Sequence, residues 1–201
     1  MKTRIAVLCS GGGSNLQAII DAVEAGRIDG EIVLVISNAS KAYALERAKN
    51  HGIEGVVLSK YMQPDPEKYD EMLLEILKER GVEMIALAGF LGILGKRVLG
   101  AYENKIVNIH PALIPSFCGM GFYGLRVHEA VLERGVKVTG ATAHLVNGEV
   151  DGGPILLQKA VEVLEGDTPE ALQQRVMEQA EWELLPRAVR MISDEIVSGR
   201  N

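Results

Sequence analysis

Short apolar runs alternate with stretches of helical periodicity from the first residues onward. Ile5-Ala6-Val7-Leu8 reads as a buried strand, followed by the turn Gly11-Gly12-Gly13-Ser14-Asn15. Leu16, Ile19, Ile20 and Val23 then share one helical face, which stops near Gly26. Ile32-Val33-Leu34-Val35-Ile36 is a second strand, and its unbroken apolar character suits a sheet covered on both faces. A helix over residues 42–49 ends at Gly52, and Val56-Val57-Leu58 is a third strand. Tyr69, Met72, Leu73, Ile76 and Leu77 define a helix over residues 67–80 with Gly81 as its stop. Met84-Ile85-Ala86-Leu87-Ala88 and Ile106-Val107-Asn108-Ile109 are the fourth and fifth strands. This βαβα rhythm predicts an α/β fold, a doubly wound, mostly parallel, Rossmann-like sheet with right-handed crossovers.

The rhythm changes after Pro111. A glycine-rich loop over residues 115–124 precedes a helix over 125–133. Strand-like stretches at 139–146 and 155–163 are joined by a turn too short for a helical crossover, so an antiparallel pair is expected. Thr168-Pro169-Glu170 supplies an N-cap, a first-turn proline and a first-turn acid, and opens a long C-terminal helix running toward Leu184 and past Pro186. No repeat or linker divides the chain, so a single domain over residues 1–201 is expected.

Composition narrows the partners. Aromatics at 4% argue against a stacking surface for single strands, and a net charge of −6 argues against a broad phosphate-backbone footprint. Nucleic acid is therefore not expected as a partner. A small anion remains open, because backbone N–H groups bind phosphate without lysine. Cys9 and Cys118 have no metal-ligand spacing and read as reduced thiols, with Cys118 as a nucleophile the lesser alternative. Met1-Lys2-Thr3-Arg4 leads into a strand without a signal-peptide pattern, and no apolar run reaches bilayer length. A cytoplasmic protein with no membrane partner is expected.

In doubly wound sheets ligands sit beyond the carboxyl ends of the strands, where residues 11–15, 89–94 and 108–111 emerge. The glycine loop either cradles an anion at a helix N-terminus or is a plain tight turn. It is neither a Walker pattern nor a good G-x-G-x-x-G, since Leu16 replaces the last glycine. His51 reads as a solvated helix cap, His128 as a packing or surface residue, and His144 as a hydrogen-bonded structural histidine. His110 differs, because Asn108 two residues earlier shares its face of the strand. An amide and an imidazole there, without a Ser or Cys nucleophile, suit an oxyanion and a moving proton. A carboxylate nearby would raise the histidine pKa and fix its orientation. Asp151 is the candidate and Glu149 the lesser one, against the plainer view of Asp151 as a turn residue.

Ser10-Gly-Gly-Gly-Ser-Asn-Leu-Gln17, Leu87-Ala-Gly-Phe90, Asn108-Ile-His-Pro111 with Leu113-Ile-Pro115, and Asp151-Gly-Gly-Pro154 together resemble the phosphoribosylglycinamide formyltransferase family. The resemblance spans nearly the whole chain and preserves motif order. It implies a Rossmann-like formyltransferase fold and transfer of a formyl group from 10-formyltetrahydrofolate to the amine of glycinamide ribonucleotide, in de novo purine biosynthesis. Asn108, His110 and Asp151 would be catalytic, and Gly13, Ser14, Asn15 and Glu181 would hold the ribonucleotide. Leu91, Gly92, Ile93 and Leu94, with Asn108 and with Asn147, Gly148, Glu149, Val150 and Asp151, would hold the folate.

Neither a metal nor an enzyme nucleophile is implied, since the amine attacks directly. The partners are then two small molecules, and a homodimer is compatible with them. The chain has no room for the extra domains of the related methionyl-tRNA formyltransferases and formyltetrahydrofolate deformylases. The chain also departs from the family pattern. Gly92 stands where an arginine is common and Ala112 where a serine is, and the loop over residues 116–124 is longer than in some members. Glu181-Trp-Glu-Leu-Leu-Pro186 replaces Glu-His-x-x-Tyr-Pro after one extra residue, so Glu178 competes with Glu181, and Glu181 itself with a solvated helix-face acid. A hydrolase of the same folate and a non-catalytic nucleotide-binding module are the rival readings.

Overall fold

The computed structural model describes residues 2–200. Its strands are β1 (Thr3–Cys9), β2 (Gly30–Ser37), β3 (Gly55–Val57), β4 (Met84–Leu87), β5 (Ile106–His110), β6 (Val138–Leu145) and β7 (Ile155–Glu162). They form one sheet in the order β3-β2-β1-β4-β5-β6-β7. The first five are parallel, and β6 and β7 are antiparallel additions at one edge, as the short turn between them predicts. The helices are α1 (Ser14–Glu24), α2 (Tyr43–Asn50), α3 (Pro66–Glu79), α4 (Lys96–Ala101), α5 (Leu125–Arg134), α6 (Pro169–Val176) and α7 (Trp182–Ser198). None of the described helices is long and apolar enough to cross a membrane.

Period-two alternation in β1 divides the core. Ile5, Val7 and Cys9 face the layer containing α1 and α7, whereas Ala6 and Leu8 face the layer containing α3 and α4. Strands sandwiched in this way need apolar residues at every position, which is why they read as continuous runs. β1 lies between β2 and β4, so the crossovers leave in opposite directions at this point and open a crevice above it. Ser10 ties the two diverging loops together: its backbone N–H donates to the Gly89 carbonyl at 3.1 Å, and its Oγ accepts from the Leu91 N–H at 2.8 Å.

Two elements differ from the sequence expectation. Helix α4 was not foreseen, because six residues with only Val98 buried carry no periodic signal. Its cap comes from α3: the Asp70 carboxylate accepts from the N–H groups of Arg97 at 2.8 Å and Val98 at 3.3 Å. The long C-terminal helix is interrupted by a π-helical turn over Met177–Glu181, after which α7 continues through Pro186.

Candidate active site

The glycine loop leaves β1 and opens α1. Gly13 is the N-cap in the left-handed region at φ 72°, and no side chain caps the first-turn N–H groups. A Cβ on Gly13 would lie 2.8 Å from the Ala44 Cβ and 2.9 Å from its Cα. Glycine is therefore required at position 13 by the close approach of α2 as well as by backbone conformation. Gly11 and Gly12 face open space.

Asn15 is buried on the first turn of α1, and its Nδ2 donates to the Glu181 carboxylate at 2.6 Å. Burial pushes the Glu181 pKa up to about 7, opposed by the Asn15 hydrogen bond. Its carboxylate thus faces inward and is not a solvated helix-face acid. Glu178, by contrast, is exposed and accepts from Gln174. A π-helical turn over Met177–Glu181 ends at the buried Glu181. The Asn15 Oδ1 is buried without a hydrogen-bond partner among the described residues.

Across the cleft, Asn108 and His144 are directly paired neighbours on β5 and β6, and His110 stands two residues along from Asn108. His144 donates from Nδ1 to the Leu145 carbonyl at 2.8 Å, so its Nε2 accepts from the Asn108 amide at 3.1 Å. The amide is thereby oriented with its nitrogen toward the β6 side. The Asp151 carboxylate lies between the two histidines, 3.4 Å from the His110 Nδ1 and 3.6 Å from the His144 Nε2, and accepts from the Gly119 N–H at 2.9 Å.

Asp151 itself is held at φ 55°, a left-handed conformation that a non-glycine residue keeps only when its surroundings fix it. The turn that follows packs closely on β6: a Cβ on Gly153 would lie 1.8 Å from the Leu145 carbonyl oxygen. Burial alone would raise the Asp151 pKa, but His144 and His110 in their protonated forms, together with the Gly119 N–H, outweigh it and hold the pKa below its ordinary value.

His110 departs from expectation. Burial lowers its pKa, and Asp151 and the Phe117 carbonyl only partly restore it. Asp151 raises that pKa as expected, but the cost of desolvating an imidazolium here is larger. Its Nε2 donates to the Phe117 carbonyl at 2.8 Å, which leaves the Nδ1 lone pair facing Asp151. Behind it, His128 on α5 is fully buried with neither ring nitrogen bonded, and burial together with His110 pulls its pKa down to about 4. Burial and Asp151 raise the Cys118 pKa, which leaves its thiol protonated and a poor nucleophile.

A cavity of about 820 Å³ joins the two ends, with Gly13, Ser14, Asn15 and Glu181 at one and Asn108, His110 and Asp151 at the other. Leu91, Gly92 and Ile93 lie along its edge. An adjoining cavity of about 140 Å³ shares Asn108 and is lined by Gly92, Ile93, Leu94 and residues 147–151. Every expected site residue thus lines one of two cavities that share wall residues. His144 is hydrogen-bonded as expected, but its approach to Asn108 and Asp151 carries no sequence signal, and neither do the backbone groups of Phe117 and Gly119. The described residues contain no group of His, Cys, Asp and Glu able to hold a metal ion.

Residues 3–189 match the formyl transferase family model. The chain is 38% identical over 200 residues to the chloroplastic phosphoribosylglycinamide formyltransferase of Arabidopsis thaliana, covering 99% of this chain and 68% of that one. It is 37% identical to the phosphoribosylglycinamide formyltransferase of Escherichia coli, covering 94% and 87%. It spans only 19% of the trifunctional purine biosynthetic protein of Gallus gallus, at 41% identity over 98% of this chain. The crystal structure of glycinamide ribonucleotide transformylase 1 from Symbiobacterium toebii superposes with a TM-score of 0.91 at 42% identity, over 96% of this chain and 89% of that one. With this fold, these relatives and this cleft, the chain belongs to the formyl transferase family, among the phosphoribosylglycinamide formyltransferases.

Proposed function

We propose that this chain acts in the cytoplasm as one formyltransferase domain over residues 1–201, moving a formyl group from 10-formyltetrahydrofolate to the amine of glycinamide ribonucleotide. The observation that carries this reading is the Asp151 carboxylate set between His110 and His144, across one cavity from an uncapped glycine loop. The uncapped N–H groups suit the phosphate. Glu181 and Asn15, polar groups lining that end of the cavity, suit the ribose hydroxyls. The smaller cavity, walled by apolar Ile93 and Leu94 and the polar turn at residues 147–151, suits the pterin.

The chemistry balances without an enzyme nucleophile. The neutral amine attacks the formyl carbon, and the carbonyl oxygen takes up the displaced electron pair. An amide N–H of Asn108 stabilises that oxyanion, and a donor in such a place contributes about 3 kcal/mol. The resulting ammonium passes a proton to the His110 Nδ1, where the adjacent Asp151 charge stabilises the imidazolium. The carbon–N10 bond then breaks and N10 receives that proton, giving formylated ribonucleotide and tetrahydrofolate. Holding both substrates side by side supplies a further large share of the acceleration. No step calls for a metal-activated water, and chelation is expected to leave the rate unchanged.

The test is to follow tetrahydrofolate release with and without the ribonucleotide. Release that depends on the amine, with formylated product, supports transfer. An equal rate without the amine would make the protein a folate hydrolase, and no release at all would make it a binding module.

A further inference from the structure

The cleft meets two anionic substrates without a cation in its walls: no lysine or arginine is among the described residues lining either cavity. A guanidinium sits behind the glycine loop instead. Arg47, on α2, donates from Nε to the Gly12 carbonyl at 2.9 Å and from a terminal nitrogen to the Gln17 Oε1 at 3.0 Å. Its guanidinium lies 5.0 Å from the centroid of the Tyr43 ring, a contact that holds it in place. The neighbouring carbonyls are taken up in the same way, Gly11 by the Ala44 N–H at 3.1 Å and Gly13 by the Gln17 N–H at 2.9 Å. Three successive carbonyls are thus held on α2 and α1. In a planar trans peptide the N–H points opposite to the C=O, so the N–H groups of Gly12, Gly13 and Ser14 are turned the other way.

We propose that Arg47 is a positioning residue for the ribonucleotide phosphate. It fixes the Gly12 carbonyl behind the loop, so that the Gly13 N–H is presented to the anion, and it adds positive charge to the field of those N–H groups. Its two-acceptor grip uses the planar fork of arginine, which lysine cannot reproduce. The inference rests on the reading of the loop as the phosphate site.

The experiment compares wild type, Arg47→Met and Arg47→Lys, using glycinamide ribonucleotide, its dephosphorylated form, and inorganic phosphate as a competitive inhibitor. Arg47→Met is expected to raise the ribonucleotide KM and the phosphate inhibition constant about tenfold, the scale of one charge-assisted hydrogen bond. The kcat and folate KM should stay within about twofold, because neither depends on the loop. Arg47→Lys should recover part of the loss, and the dephosphorylated substrate should bind all three proteins alike. Equal losses for both substrates, or a fall in kcat with KM unchanged, would make Arg47 a structural residue and overturn the proposal. An unchanged ribonucleotide KM in Arg47→Met would do the same. A wild type indifferent to the phosphate would instead remove the loop from the phosphate site, a failure visible before any variant is made.

Discussion

The two ends of the cleft are built from different materials. At the end proposed for the ribonucleotide the groups offered are backbone N–H dipoles, and packing holds them: α2 comes so close to Gly13 that there is no room for a side chain. At the end proposed for catalysis the groups offered are side chains on β5, on β6 and at the Asp-Gly-Gly turn, and hydrogen bonds and charge hold them. A backbone site fails when atoms are added beside it. A side-chain site fails when one atom is exchanged within it.

The largest effect expected from this contrast lies at the catalytic end. His110→Ala and Asp151→Asn should each lower kcat about a thousandfold, the range for a positioned proton-transfer group. Ribonucleotide binding measured by calorimetry should survive in both, and weakened binding would show that the two ends are not separate.

At the other end the loss should be one of stability. Gly13→Val would meet Ala44 while forced into a left-handed conformation, which should cost about 3 kcal/mol by overpacking and strain together. Gly12→Ala faces open space and should unfold at nearly the wild-type temperature. Similar melting temperatures for the two variants would remove α2 as the reason for glycine at position 13.

The pH dependence of folding separates the ends by sign. His128, behind the catalytic end, has its pKa lowered from 6.5 to about 4. As pH falls through that window only the unfolded chain takes the proton, so stability is lost toward acid. Glu181, at the ribonucleotide end, has its pKa raised from 4.5 to about 7. As pH rises through that window only the unfolded chain releases the proton, so stability is lost toward neutrality. Where the windows overlap the two slopes oppose each other at about 1.4 kcal/mol per pH unit. His128→Leu should unmask a stability that falls with rising pH, and Glu181→Gln one that falls with falling pH. Urea titrations at pH 5 and pH 6 read this directly, and slopes of the same sign in both variants would defeat the assignment.

The smallest effect concerns salt. With no lysine or arginine among the described residues lining the cleft, raising the ionic strength from about 0.05 to about 0.3 M should change the ribonucleotide KM by less than about twofold. A steep rise would point to ion pairing that the cleft does not display.

Much of this was legible in the chain. The alternation of apolar runs and helical faces specified the doubly wound sheet, because strands covered on both faces must be apolar throughout. Asn108 and His110 were placed on one face by strand periodicity alone, and the short turn specified the antiparallel pair β6–β7. Helix α4 escaped notice because its cap is Asp70, 27 residues earlier on another helix. Nothing in the strand of His144 reveals that the register sets it opposite Asn108.

The sequence by itself determined the order of the elements, the strand ends from which the loops emerge, and the kinds of groups those loops carry, since all three follow from local periodicity and turn chemistry. Only the tertiary structure decided the charge of the site. It buried His110 deeply enough that desolvation overrides Asp151, and buried Glu181 at the end of a π turn, with a pKa of about 7. It also set Asp151 between two histidines drawn from different strands. Burial and register arise from contacts distant in the chain, and local pattern holds no record of either.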